Sequence, residues 1–147
     1  DIFFQNNIKS FDEIKAIESS KSIVNEIKQI CREFNCDEKR ITIIGFSQGA
    51  ILGYSIAMSN PGLIKNLVAL SGYVEEKIIE FNTKKIKTSI YVSHGKNDDT
   101  IPYLESKKTL EILDKKGIQY DFNLFNQGHG VNQENLNSFL NWLKNKY

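Results

Sequence analysis

Cysteine, proline and histidine are scarce in this chain of 147 residues, each occurring twice. Cys31 and Cys36 stand five positions apart at the end of an expected helix. Two thiols are too few for a disulfide-built secreted domain, and no second pair completes a zinc site. They read as reduced, structural thiols. With so little proline there is no Pro-rich linker, and low-complexity tracts and internal repeats are absent as well. An excess of one charge is also missing, since 19 Lys and Arg stand against 18 Asp and Glu, a net +1. That balance gives no support to the clustered basic footprint of a nucleic-acid binder. No apolar run approaches the roughly 20 residues needed to span a bilayer. No leader-type segment is visible either, and a cytoplasmic protein is expected. The chain opens on Asp1 rather than an initiator Met, so further sequence is expected before it.

What is present is ordinary globular material, 40% hydrophobic and 25% charged, in a length that fits a single domain over residues 1–147. Ile17, Ile23, Val24, Ile27, Ile30, Cys31 and Phe34 recur at helical spacing and predict a helix ending near Asn35. Ser10 with Glu13 offers it a capping box. Ile41-Thr42-Ile43-Ile44 is β-branched and reads as a buried strand. Residues 47–58 read as a helix, stopped by Asn60-Pro61-Gly62. Further strands are expected over 67–70, 86–92 and 120–125. Helices are expected over 103–116, closed by Gly117, and over 133–144, with Leu136, Phe139, Leu140 and Leu143 on one face. This alternation predicts an α/β fold, a mainly parallel sheet with helices on both faces. Four strands make a small sheet of that class. A helix feeding a central strand comes first, so the opening strands are expected upstream of Asp1.

Gly45-Phe46-Ser47-Gln48-Gly49 is a G-x-S-x-G run between an expected strand and an expected helix, the context of a nucleophile elbow. The sharp turn lifts the Ser47 Oγ above the sheet edge, and flanking glycines avoid collision with neighbouring backbone. Gly49, Gly53 and Ala57, spaced by four, give the next helix a row of small residues for close packing on the sheet.

A serine hydroxyl is a weak nucleophile until an oriented base takes its proton. His94 closes the third expected strand, whereas His129 lies in Gly128-His129-Gly130 between the last strand and the last helix. In this fold the order is serine, acid, histidine. His129 meets that order with room for an acid, and His94 leaves little. The glycines around His129 let a loop carry the imidazole towards Ser47. The acid is sought after the third strand, where Asp98 and Asp99 stand in the loop before Ile101-Pro102. A carboxylate there accepts the Nδ1 proton of His129, fixes its tautomer and stabilises the imidazolium. Spacing leaves both aspartates open.

With these residues in hand, the chain resembles the phospholipase/carboxylesterase family of α/β-hydrolases, which includes the acyl-protein thioesterases. The likeness rests on Gly45-Phe46-Ser47-Gln48-Gly49-Ala50, with Gln after the nucleophile a particular mark of that family. It extends through Ala69-Leu70-Ser71-Gly72-Tyr73, His94-Gly95-x-x-Asp98-x-x-Ile101-Pro102 and Gly128-His129. Asp1-Ile2 resembles the tail of a Trp-containing segment. The resemblance selects Asp98 over Asp99 and makes His94 a structural motif histidine. It implies a serine hydrolase of carboxylic esters or thioesters that forms an acyl-enzyme on Ser47, with His129 as base and Asp98 as acid. The backbone N–H of Gln48 is implied as one oxyanion donor. The second donor, the lid and part of the acyl groove are implied to lie before Asp1, which would leave these 147 residues catalytically incomplete. No metal or organic cofactor is implied. The partners implied are small esters, lysophospholipids or acylated proteins. Two alternatives stand beside this reading. One is a dienelactone-hydrolase-like or peptidase activity, against which Gln48 argues. The other is a non-catalytic binding protein on the same fold, which the intact Ser, Asp and His oppose.

Overall fold

The computed structural model describes residues 2–5 and 8–147, with side chains described from Asp12 onward. The likeness at Asp1-Ile2 therefore falls partly outside the described residues. The chain starts with an antiparallel hairpin, β1 (Ile2–Gln5) and β2 (Ile8–Phe11), that the periodicity did not announce. Ser10 lies in β2, so it does not cap the first helix. The cap is Asp12, whose carboxylate accepts the Lys15 N–H at 3.1 Å and opens α1 (Glu13–Glu33).

The chain then alternates through β3 (Thr42–Phe46), α2 (Gln48–Ser59), β4 (Asn66–Leu70), a 3-10 turn at Glu76–Ile78, β5 (Ser89–Gly95), α3 (Tyr103–Lys115), β6 (Tyr120–Phe125) and α4 (Gln133–Lys144). Strands β3, β4, β5 and β6 form one parallel sheet in chain order. Because all four run the same way, their C-terminal ends and the loops that follow gather along one edge. The third expected strand begins three residues late, at Ser89 rather than residue 86. Its neighbour explains the shift. Strand β4 starts at Asn66, and the first rung it offers pairs with Ser89.

Helices cover both faces. On one, Val24 of α1, Tyr54 and Ala57 of α2 and Leu113 of α3 pack with Leu67, Ala69, Ile90 and Val92 of the sheet. On the other, Phe139 of α4 packs with Val68, Leu70 and Tyr91. Two amphipathic stripes differ in detail from expectation. Trp142 rather than the exposed Leu140 joins the α4 contact, and Ile30 and Phe34 near the end of α1 are exposed. The α3 cap is as expected, with Gly117 at φ +65° and the Ile118 N–H bonded to Leu113 C=O at 2.9 Å.

Strand β3 was expected inside a larger sheet. Among the described residues its one strand neighbour is β4, and Ile44 and Phe46 on it are exposed. Among the described residues, too, no helix is long and apolar enough to cross a membrane.

Close packing holds the elbow helix on the sheet. A Cβ added at Gly53 would stand 2.7 Å from Leu67 Cδ1, so α2 lies directly on that fully buried side chain. Leu67→Ala should cost about 2–5 kcal/mol through lost burial and the cavity left behind. Urea unfolding measures it, and a loss below about 1 kcal/mol would contradict a tightly packed contact at this point.

Candidate active site

Ser47 links β3 to α2 with φ 54° and ψ −117°, left-handed backbone that a side chain rarely adopts. Neighbouring groups enforce the conformation. Its N–H donates to Leu70 C=O at 2.8 Å, and its own C=O accepts from Ala50 at 3.0 Å and Ile51 at 3.2 Å. A Cβ at Gly45 would lie 2.3 Å from the Gly49 carbonyl oxygen, so the turn closes only with glycine at 45. Gly49 differs from expectation, since a Cβ there meets nothing within 4 Å. The serine side chain makes no cap bond to the helix and is left available. Its Oγ lies 2.9 Å from His129 Nε2.

The acid loop is held from two directions. The Lys96 N–H donates to Phe125 C=O at 2.9 Å and the Asn97 N–H to Gln127 C=O at 3.1 Å, which ties the end of β5 to the loop after β6. Asp98 Oδ1 then accepts the N–H groups of Thr100 at 3.0 Å and Ile101 at 2.8 Å. Its Oδ2 lies 2.8 Å from His129 Nδ1. The Asp98 side chain is fully buried, and those donors compensate a charge that would otherwise be costly to hold there. The structure brings Asp98, not Asp99, to the imidazole. Asp99 is exposed, with one carboxylate oxygen near the Thr100 hydroxyl.

His129 sits on the loop between β6 and α4. The Gln127 side chain accepts the Asn132 N–H at 2.8 Å, and Asn132 caps α4 by accepting the Asn135 N–H at 2.8 Å. The Phe46 ring lies 4.8 Å from the imidazole, centre to centre. Neither flanking glycine has positive φ, and a Cβ at Gly130 would meet nothing within 4 Å. The glycine that this loop needs is Gly95 across the gap, a member of the acid-loop motif whose steric role the sequence pattern did not indicate. Asp98 accepts only, so Nδ1 of His129 carries the proton and Nε2 is free to accept from Ser47.

Gln48 opens α2, and its N–H has no partner among the described residues. A helix N-terminus favours negative charge, which makes this N–H a ready donor beside the Ser47 Oγ. His94 is fully buried, with Nε2 2.8 Å from Ile101 O, Nδ1 2.8 Å from Ser106 Oγ, and Nε2 3.4 Å from Asp98 Oδ2. Burial is the main influence on it and lowers its pKa; the Ile101 carbonyl and Asp98 act the other way. Cys31 is buried, Cys36 exposed, and both are free thiols remote from these residues in sequence.

Comparison with known proteins fits the geometry. Residues 3–146 match the family model described as Phospholipase/Carboxylesterase. A probable carboxylesterase SOBER1-like protein of Arabidopsis thaliana is 27% identical over 90% of this chain and 51% of its own length. Acyl-protein thioesterase 1 of Candida albicans is 28% identical over 99% of this chain and 67% of its own. The chain thus spans about half the length of the first relative and about two thirds of the second. The Bacillus cereus carboxylesterase structure superposes with a TM-score of 0.82 at 20% identity, covering 97% of this chain and 71% of that one. Arabidopsis SOBER1 gives 0.80 at 23% identity, covering 99% and 70%. The fold is that of the α/β-hydrolases.

Neutral burial of His94 has a consequence for stability. Unfolding returns the ring to its ordinary value of 6.5, so below that pH the unfolded chain takes up a proton that the folded chain does not. Stability should therefore fall as the pH drops through 6.5 and below, and His94→Gln should reduce that slope. Urea midpoints across this range test it; an equal slope in the variant removes His94 as a source.

Proposed function

The chain belongs to the phospholipase/carboxylesterase family, and we propose that its protein hydrolyses carboxylic esters or thioesters through an acyl-enzyme on Ser47. The observation that carries this reading is the continuous hydrogen-bond chain from Asp98 to His129 to Ser47, at 2.8 and 2.9 Å, ending on the strained turn before a helix. In the proposed reaction Ser47 Oγ attacks the acyl carbon while His129 Nε2 takes the hydroxyl proton. Asp98, bonded to Nδ1, stabilises the imidazolium. Negative charge grows on the acyl oxygen, where the Gln48 N–H is placed to donate. The C–O or C–S bond then breaks, with the leaving alkoxide or thiolate taking the proton from His129. Water attacks the acyl-serine by the same route in reverse, its proton passing to His129 and then back to Ser47. The acid departs.

Relatives named carboxylesterase and acyl-protein thioesterase support small esters and acylated proteins as substrates, with lysophospholipids a chemically similar third class. We read residues 1–147 as part of one catalytic domain.

A fluorophosphonate probe applied to the full-length protein should label Ser47. Ser47→Ala should abolish labelling and lower p-nitrophenyl ester turnover by at least about a thousandfold. Retained turnover in that variant, or a wild-type protein that the probe leaves unlabelled, would falsify the assignment.

A further inference from the structure

The proposed chemistry gives no task to the one other histidine, although it touches the acid. The Ile101 carbonyl can only accept a hydrogen bond, so the Nε2 atom of His94, 2.8 Å away, must carry the ring proton. Nδ1 is then a bare acceptor, and the Ser106 hydroxyl 2.8 Å from it is the donor. Two bonds, from the acid loop and from α3, fix the tautomer of a ring that is fully buried. The proton so placed also faces Asp98 Oδ2 at 3.4 Å, the same oxygen that takes the His129 bond.

We propose that His94 is a positioning residue, whose Nε2–H, shared between Ile101 C=O and Asp98 Oδ2, keeps the carboxylate aimed at His129. The inference rests on the assignment of Ser47, His129 and Asp98 above. Two backbone N–H groups already hold Oδ1, so the remaining freedom of the carboxylate is a pivot about that oxygen. Among the described residues, two imidazole donors are placed to limit the pivot at Oδ2. His129 is 17% exposed and changes protonation in each cycle, whereas His94 is enclosed and keeps its proton. A buried carboxylate with one side unsatisfied would turn towards any other donor within reach. His94 removes that option. At 3.4 Å the shared bond is long and weak, and its contribution is alignment rather than large stabilisation. The ionisable groups facing the His94 ring are Asp98, His129 and, with its ring centre 6.2 Å away, Tyr103.

Nitrogen NMR of the wild-type protein reads the tautomer directly. The neutral Nε2–H form is expected for His94 at pH values above its ordinary 6.5. An Nδ1–H form there overturns the proposal because Nε2 would then not be a donor, and an imidazolium there overturns it because Nδ1 could not accept from Ser106. Kinetics of the full-length protein provide the second reading. His94→Leu should lower kcat on a p-nitrophenyl ester about tenfold with KM unchanged, and should broaden or remove the downfield Nδ1–H resonance of His129. His94→Gln, which keeps a side-chain donor, should recover most of both. A folded leucine variant with kcat within about twofold of wild type, or a folded glutamine variant no better than leucine, also overturns it. If the leucine variant fails to fold, the wild-type spectra decide. Asp98→Asn separates the two levels. Should it retain kcat, the acid assignment itself fails; should it lose kcat while His94→Leu does not, only the role of His94 falls.

Discussion

At Gly95 the end of β5 comes so near the loop after β6 that a Cβ would stand 2.3 Å from Gly128 O and 2.4 Å from Gln127 O. This approach lets the N–H groups of Lys96 and Asn97 reach the carbonyls of Phe125 and Gln127 and fasten the acid loop to the histidine loop. Asp98 and His129 then come together although 31 residues separate them. A larger residue at 95 would force apart the two loops that carry Asp98 and His129. The parallel register supplies the rest, since Gly95 pairs with Phe125 on the last rung of β5 and β6.

The same arrangement manages a buried charge. Asp98 is enclosed, and an unpaired carboxylate in such a place is destabilising by several kcal/mol. Thr100, Ile101, His129 and His94 each present a nitrogen to it, so the groups that hold the fold at this edge also fix the direction of the Asp98 carboxylate in the proposed site. In the proposed reaction, stability and chemistry therefore share their contacts. Ser47 shows the complementary case, in which left-handed backbone is maintained by bonds to Leu70, Ala50 and Ile51. Strain of that kind persists only where the surroundings over-determine the conformation, and the turn between β3 and α2 is such a place.

Family and geometry contribute different things. The match over residues 3–146 establishes the family, and superposition on solved carboxylesterases at 20–23% identity establishes the fold. Neither assigns a role to an individual side chain. The distances around His129 carry that part of the reading, and they make the Ser-His-Asp arrangement a specific chemical proposal.

Local pattern made much of this legible. Apolar periodicity marked the first and last helices, a β-branched run marked β3, and Gly-x-Ser-x-Gly after it suggested the elbow. Each depends on neighbours in sequence, so each can be read without the fold. Boundaries set by a partner were not legible. Strand β5 starts where β4 offers its first rung, and the β1–β2 hairpin interrupts what reads as the approach to α1. Spacing alone left Asp98 and Asp99 equal; family likeness chose between them, and the structure adds the contact to His129. The need for Gly95 and the contact between His94 and the acid were likewise invisible. They arise from backbone and side chains meeting across separate strands. The sequence by itself determined which residues have the chemistry for nucleophile, base and acid. Only the tertiary structure decided which of them meet, because that depends on how closely the ends of β3, β5 and β6 are packed.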